Sequence, residues 1–183
     1  MSSWRLLRQA ARSFYTRSMA SAKENQMLAP GEHAPDFQLE DLNGGRQKLS
    51  ALLEKSPVLL AFFKVSCPTC QFTLPFLDRM YRDLAGGGAR ILAVSQDDAD
   101  ATREFHHEFG ITMPTLLDSA RQGYPASNAY NLSHVPSMFL VEPEGKISWS
   151  LSGFHKKELE ALGARLGVQP FHPGERVPEM KSG

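Results

Sequence analysis

Cysteine is scarce in this chain, with two residues among 183. That scarcity excludes the multi-disulfide framework of a small secreted scaffold and leaves cysteine usage silent on the compartment. Surplus charge is missing too: 20 Lys and Arg balance 20 Asp and Glu. No basic face is therefore on offer to nucleic acid, and no acidic one to a basic partner. No apolar run approaches the roughly 18 residues of a membrane-spanning helix, and no internal repeat recurs. With 42% hydrophobic residues, the chain has enough material for a substantial core in one domain plus some tail.

Both cysteines lie in one short motif, Cys67-Pro68-Thr69-Cys70, directly after the apolar run Val58-Leu59-Leu60-Ala61-Phe62-Phe63. The run reads as a buried strand. Gln71 to Tyr81 reads as a helix, with apolar residues at 72, 74, 76, 77, 80 and 81. A strand, then C-x-x-C, then a helix is the setting in which paired cysteines carry redox chemistry. An ordinary thiol is only about 3% ionised at pH 7. Free N–H groups and the positive dipole end of a helix favour the thiolate. The cysteine at the exposed helix start gains most, so Cys67 is the expected attacking thiolate and Cys70, about one turn further in, the resolving thiol. Pro68 suits the first helical turn, where its missing N–H costs nothing. Two other uses of the pair compete. A structural disulfide across so short a loop would remove little chain entropy. A zinc site lacks a second C-x-x-C, and His33, His106, His107 and His134 have no metal-site spacing relative to the pair; no metal is expected.

Residues 1–28 differ in composition from the rest. Arg5, Arg8, Arg12 and Arg17 alternate with serines, and no acid precedes Glu24. The segment lacks the continuous apolar stretch of a secretory signal. It reads as a basic disordered leader, with an organelle transit peptide or an over-long start before Met19 or Met27 as alternatives. A cytoplasmic protein is expected, or a mitochondrial one if the leader is a transit peptide. From residue 29 to 169 the pattern is regular. Ala34 to Leu39 followed by Asn43-Gly44-Gly45 predicts a short hairpin, and Leu49 to Leu53 a brief helix. Strands are expected at 58–65 and 89–95, helices at 98–109, 124–130 and 156–166, and a short edge strand at 115–117. Residues 137–141 and 146–151 read as a second hairpin across Glu142-Pro143-Glu144-Gly145. This order gives an α/β domain with a mixed sheet and helices on both faces. Residues 170–183, rich in Pro and Gly, are expected to form a flexible tail.

Three segments taken together carry a resemblance: Gly31-Glu32-His33-Ala34-Pro35-Asp36-Phe37, Phe62 through Cys70, and Val135-Pro136-Ser137-Met138-Phe139-Leu140-Val141, continued by Glu142-Pro143-Glu144-Gly145-Lys146-Ile147. In this order and spacing the chain resembles the thioredoxin superfamily, and within it the redoxin or TlpA-like thiol-disulfide oxidoreductases, which overlap the AhpC/TSA family. The resemblance covers about residues 29–168. It implies a thioredoxin-like fold, a central mixed sheet flanked by helices on both faces, with an N-terminal β-hairpin extension. It makes Val135-Pro136 a cis peptide facing the pair, with the Val135 backbone free to bind an extended substrate by strand addition. Pro68 and Thr69 complete the expected substrate-binding residues and help to set the reduction potential.

The resemblance also marks a departure. Thioredoxin places a buried Asp in the central strand six residues before the first cysteine, and here that position is Ala61. Relatives lacking it often carry an acid after the next strand, which falls on Gln96-Asp97-Asp98. Asp98 is the expected proton acceptor for Cys70, or else a helix N-cap. Lys64 could add positive potential near the thiolate or simply be solvated. The expected activity is exchange of the Cys67–Cys70 dithiol with a protein or small-molecule disulfide, recharged by an upstream thiol reductant, with no metal or organic cofactor and as a monomer. A thiol peroxidase with an antioxidant role is the alternative. The peroxide motif P-x-x-x-T/S-x-x-C, counted back from Cys67, meets Leu60 and Lys64 instead. A non-catalytic binding module on the same fold is a further alternative.

Overall fold

A computed structural model describes residues 26–84 and 87–183. The expected leader falls almost wholly outside the described residues. Val58–Phe63 forms β3, in which every residue is buried. A strand covered on both faces needs no polar alternation, and this one has none. Its odd and even positions serve different cores. Leu59, Ala61 and Phe63 join one cluster, while Val58, Leu60 and Phe62 join the other.

Around β3 the sheet assembles as expected, with one exception. β1 (Gln38–Asp41) and β2 (Arg46–Lys48) form the N-terminal hairpin. β4 (Arg90–Ser95) runs parallel to β3, and β6 (Ser137–Val141) antiparallel to it. β7 (Ile147–Ser152) pairs antiparallel with β6. The exception is β5 (Thr115–Leu117), which the sequence suggested as an edge. It lies between β4 and β1, in the sheet order β2-β1-β5-β4-β3-β6-β7. The hairpin lengthens the sheet on that side through the Glu40–Leu117 and Asp41–Leu116 pairs, so the edge passes to β2.

Five α-helices cover the sheet among the described residues: α1 (Leu49–Leu53), α2 (Pro68–Asp83), α3 (Ala99–Phe109), α4 (Pro125–Ala129) and α5 (Lys156–Leu166). Cys70, Leu74, Leu77 and Met80 of α2 are buried at helical spacing and pack on Leu59, Ala61 and Phe63. Gly110 ends α3 in the left-handed conformation that glycine adopts without a Cβ penalty.

Residues 170–183 pack on the domain instead of fraying. Phe171 is buried, 4.9 Å from the Phe76 ring centroid in an edge-on contact. The Arg79 guanidinium binds both oxygens of Glu175, at 2.8 and 3.2 Å. That hydrogen-bonded guanidinium, with the His172 N–H, holds the Glu175 carboxyl down to about 2. Beyond it, β9 (Met180–Lys181) pairs antiparallel with β8 (Phe154–His155).

Candidate active site

The parallel and antiparallel partners of β3 determine what meets at its end. β3 delivers Lys64–Cys67 at its C-terminal end. β6, running the opposite way, begins there, with Phe62 paired to Ser137. The loop before β6, carrying Val135 and Pro136, is therefore brought beside the cysteine motif. The Val135–Pro136 peptide is cis, as the resemblance implied.

Cys67 is the N-cap of α2 with extended backbone, and Pro68 takes the first helical turn. The Cys67 sulfur has a partner on each side. It accepts from the Cys70 backbone N–H at 3.3 Å and donates its proton to the Val135 carbonyl at 3.3 Å. The reactive atom thus sits between the helix start and the backbone expected to hold substrate. Both thiols are free; Cys67 is half-buried and Cys70 fully buried. Burial pushes the Cys70 thiol far above the ordinary range, and the hydrogen bond to the Cys67 sulfur and the negative charge of Asp97 push it further. Water does not ionise such a thiol at neutral pH, so resolution requires a base.

Two adjacent acids divide the available work. Asp98 is exposed and caps α3, its carboxylate accepting from Ala101 N at 2.9 Å. Asp97 is half-buried and accepts from Val65 N at 2.8 Å, on the loop that carries the cysteines. Gln71 closes the same loop from the other side, its Nε2 donating to Val65 O at 2.9 Å. The acid whose charge reaches Cys70 is Asp97, one residue before the position expected from the sequence. Asp98 carried a readable N-cap signature, and the structure has it in that use.

The remaining expected residues lie in the cysteine motif, just ahead of it, or in the Val135–Pro136 loop. Pro68 is exposed, Thr69 half-buried, and Lys64 exposed on the loop ahead of Cys67. Pro136 is buried, its carbonyl accepting from Gly153 N at 2.8 Å. Among the described residues, no cluster of three or more His, Cys, Asp or Glu could hold a metal ion. Asp97 and Gln71 are the site residues that the sequence did not single out. The Gln96-Asp97-Asp98 window pointed to the first, and no sequence signal pointed to the second.

Comparison with known proteins covers this same region. The AhpC/TSA family model matches residues 30–150, which include Cys67, Cys70, Asp97, Val135 and Pro136. Thiol-disulfide oxidoreductase ResA of Bacillus subtilis is 34% identical over 140 residues, 76% of this chain and 76% of that protein. ResA of Geobacillus kaustophilus is 33% identical over 136 residues, 74% of this chain and 76% of that protein. The crystal structure of the thioredoxin domain of a thiol-disulfide oxidoreductase from Bacteroides vulgatus superposes with a TM-score of 0.67 at 24% identity, covering 75% of this chain and 97% of that one. The last of these speaks to fold alone.

Proposed function

This chain belongs to the AhpC/TSA family and is a thiol-disulfide oxidoreductase, and from that premise we propose how its residues share the reaction. The Cys67 thiolate attacks one sulfur of a protein disulfide, forming a mixed disulfide and releasing the other sulfur as a thiolate. The Val135 backbone pairs with the extended segment around that disulfide. Asp97 takes the proton of Cys70, which then attacks the Cys67 sulfur. The substrate's second sulfur leaves, and the two released thiolates take up protons. Two electrons have passed from the Cys67–Cys70 pair to the substrate, and an upstream dithiol restores the pair by the reverse exchange.

The observation that carries this reading is the position of the Cys67 sulfur, 3.3 Å from both Cys70 N and Val135 O. Peroxide reduction is the weaker use of the same sulfur, because Leu60 and Lys64 stand where a peroxidase places its proline and hydroxyl. The test is equilibration in glutathione or dithiothreitol buffers with thiol trapping. Formation of a Cys67–Cys70 disulfide with a defined potential supports the reading. A value of about −270 mV marks a reductant of other disulfides, and one of about −120 mV an oxidant. A pair that never forms the disulfide overturns the two-cysteine mechanism.

A further inference from the structure

The segment after α5 turns back towards the cysteines. Gly167 closes the helix in the left-handed conformation. A Cβ on Gly163 would meet Val168 O and Pro170 Cδ at 2.7 Å, so glycine there permits the close return of the chain. Phe171 and the Arg79–Glu175 pair then fix the return on α2. From this anchor the chain runs in strand form: Lys156 N donates to Glu179 O at 2.9 Å, and Lys181 and Met180 pair with Phe154 and His155. The Lys181 ammonium lies 5.0 Å from the centroid of the Phe72 ring, on the helix that Cys67 caps.

The last two residues reach the site itself. Thr69 Oγ1, inside the cysteine motif, donates to Ser182 O at 2.6 Å. A Cβ on Gly183 would lie 2.6 Å from Val135 O and 3.3 Å from His134 Cβ. Val135 O is the carbonyl that also takes the Cys67 proton. A Cβ on Gly153 would come within 2.8 Å of Lys181 O and 3.3 Å of Gly183 N, so the floor under the segment is equally close. Two of the residues expected to bind substrate, Thr69 and Val135, thus face an extended piece of the chain's own backbone.

We propose that Glu179–Gly183 is a resident occupant of the substrate cleft, a strand-like segment that an extended disulfide-bearing peptide displaces. The inference rests on the thiol-disulfide exchange proposed above and adds the kind of partner the cleft takes. That partner is an extended backbone that accepts from Thr69 and carries a small residue against Val135 O, where a Cβ does not fit unless something moves. Residues 151–183 lie outside the stretch matched by the family model.

The test compares the full chain with a variant ending at Pro178, which keeps Phe171 and the Arg79–Glu175 anchor. Two rates are measured on the reduced proteins: alkylation of Cys67 by iodoacetamide, and mixed-disulfide formation with an extended peptide carrying a cystine bridge. The shortened protein is expected to react about tenfold faster in both, the scale of one or two net hydrogen bonds to the segment. A synthetic peptide Pro-Glu-Met-Lys-Ser-Gly added in trans should return both rates towards those of the full chain, competitively with substrate. Equal rates in the two proteins overturn the proposal, as does a slower shortened protein, which would make the segment a productive part of the cleft. Alkylation does not depend on turnover. Faster alkylation without any exchange would therefore support the occupant while removing the oxidoreductase reading.

Discussion

On one face of the sheet, Leu59, Ala61 and Phe63 pack against Cys70, Leu74, Leu77 and Phe154. On the other, Val58, Leu60 and Phe62 pack against Phe37, Tyr130 and Phe139. Both faces hold linked aromatic rings: Phe72, Phe76, Phe154 and Phe171 on the first, Phe37, Phe62, Tyr130 and Phe139 on the second. They differ in what is polar. The first face holds the Cys70 thiol, which the charge of Asp97 reaches, and receives the C-terminal segment. The second buries the Tyr130 hydroxyl with no hydrogen-bond partner among the described residues and is built as scaffold. One strand feeds both, so stability and redox chemistry are separable although they meet at adjacent residues.

The strongest way to break that separation is Phe139→Ala. Phe139 is fully buried and touches Phe62 and Tyr130 edge-on. Truncation should cost about 3–5 kcal/mol in urea unfolding, while the Cys67–Cys70 potential stays within about 10 mV. A potential that moves in step with stability would show the two faces to be coupled.

Next in size is Asp97→Asn, which keeps an oxygen for Val65 N and removes the proton acceptor. Resolution of the mixed disulfide should slow by about 10²-fold at pH 7 and recover as pH rises. Asp98→Ala should instead lower stability by about 1 kcal/mol through the lost cap and leave the pH profile of exchange alone. The reverse pattern would return the acid to Asp98.

Cys70 also gives the reduced protein an alkaline signature. Its folded pKa lies above the reference 9.0. The stability it contributes as a thiol is thus fully present below that value and lost as pH rises beyond it. Reduced protein should lose about 1.4 kcal/mol more per pH unit there than Cys70→Ser does. Tyr130, whose burial also raises its pKa, contributes equally to both proteins and cancels. The smallest effect is expected for Tyr130→Phe. Removing a buried, unpartnered hydroxyl should leave stability unchanged or raise it by up to about 1 kcal/mol; a loss larger than that would reveal a partner for the hydroxyl.

Local features were legible in the sequence. The run Val58–Phe63, the C-x-x-C step and the apolar spacing of α2 each sit within one stretch of chain, where periodicity carries the signal. Val135–Pro136 was legible only through resemblance, because nothing in its own neighbourhood says which cysteine it will face. Pairing decided what was missed. Thr115–Leu117 looks like an edge because its partner β1 lies far away in sequence. Asp97 and Asp98 share one turn, and only the fold shows which carboxylate has been spent on a cap. The C-terminal segment reads as loose by composition, yet its contacts reach back 96 residues to Arg79 and 113 to Thr69. No window of local sequence contains them.

The division of labour between the two thiols is tested most directly by trapping. Cys70→Ser and Cys67→Ser proteins are each mixed with a cystine-bridged peptide, quenched in acid and mapped by mass spectrometry. The Cys70→Ser protein should accumulate a one-to-one adduct at Cys67, and the Cys67→Ser protein should form none. An adduct at Cys70 in the Cys67→Ser protein, or no adduct at Cys67 in the Cys70→Ser protein, would contradict that division.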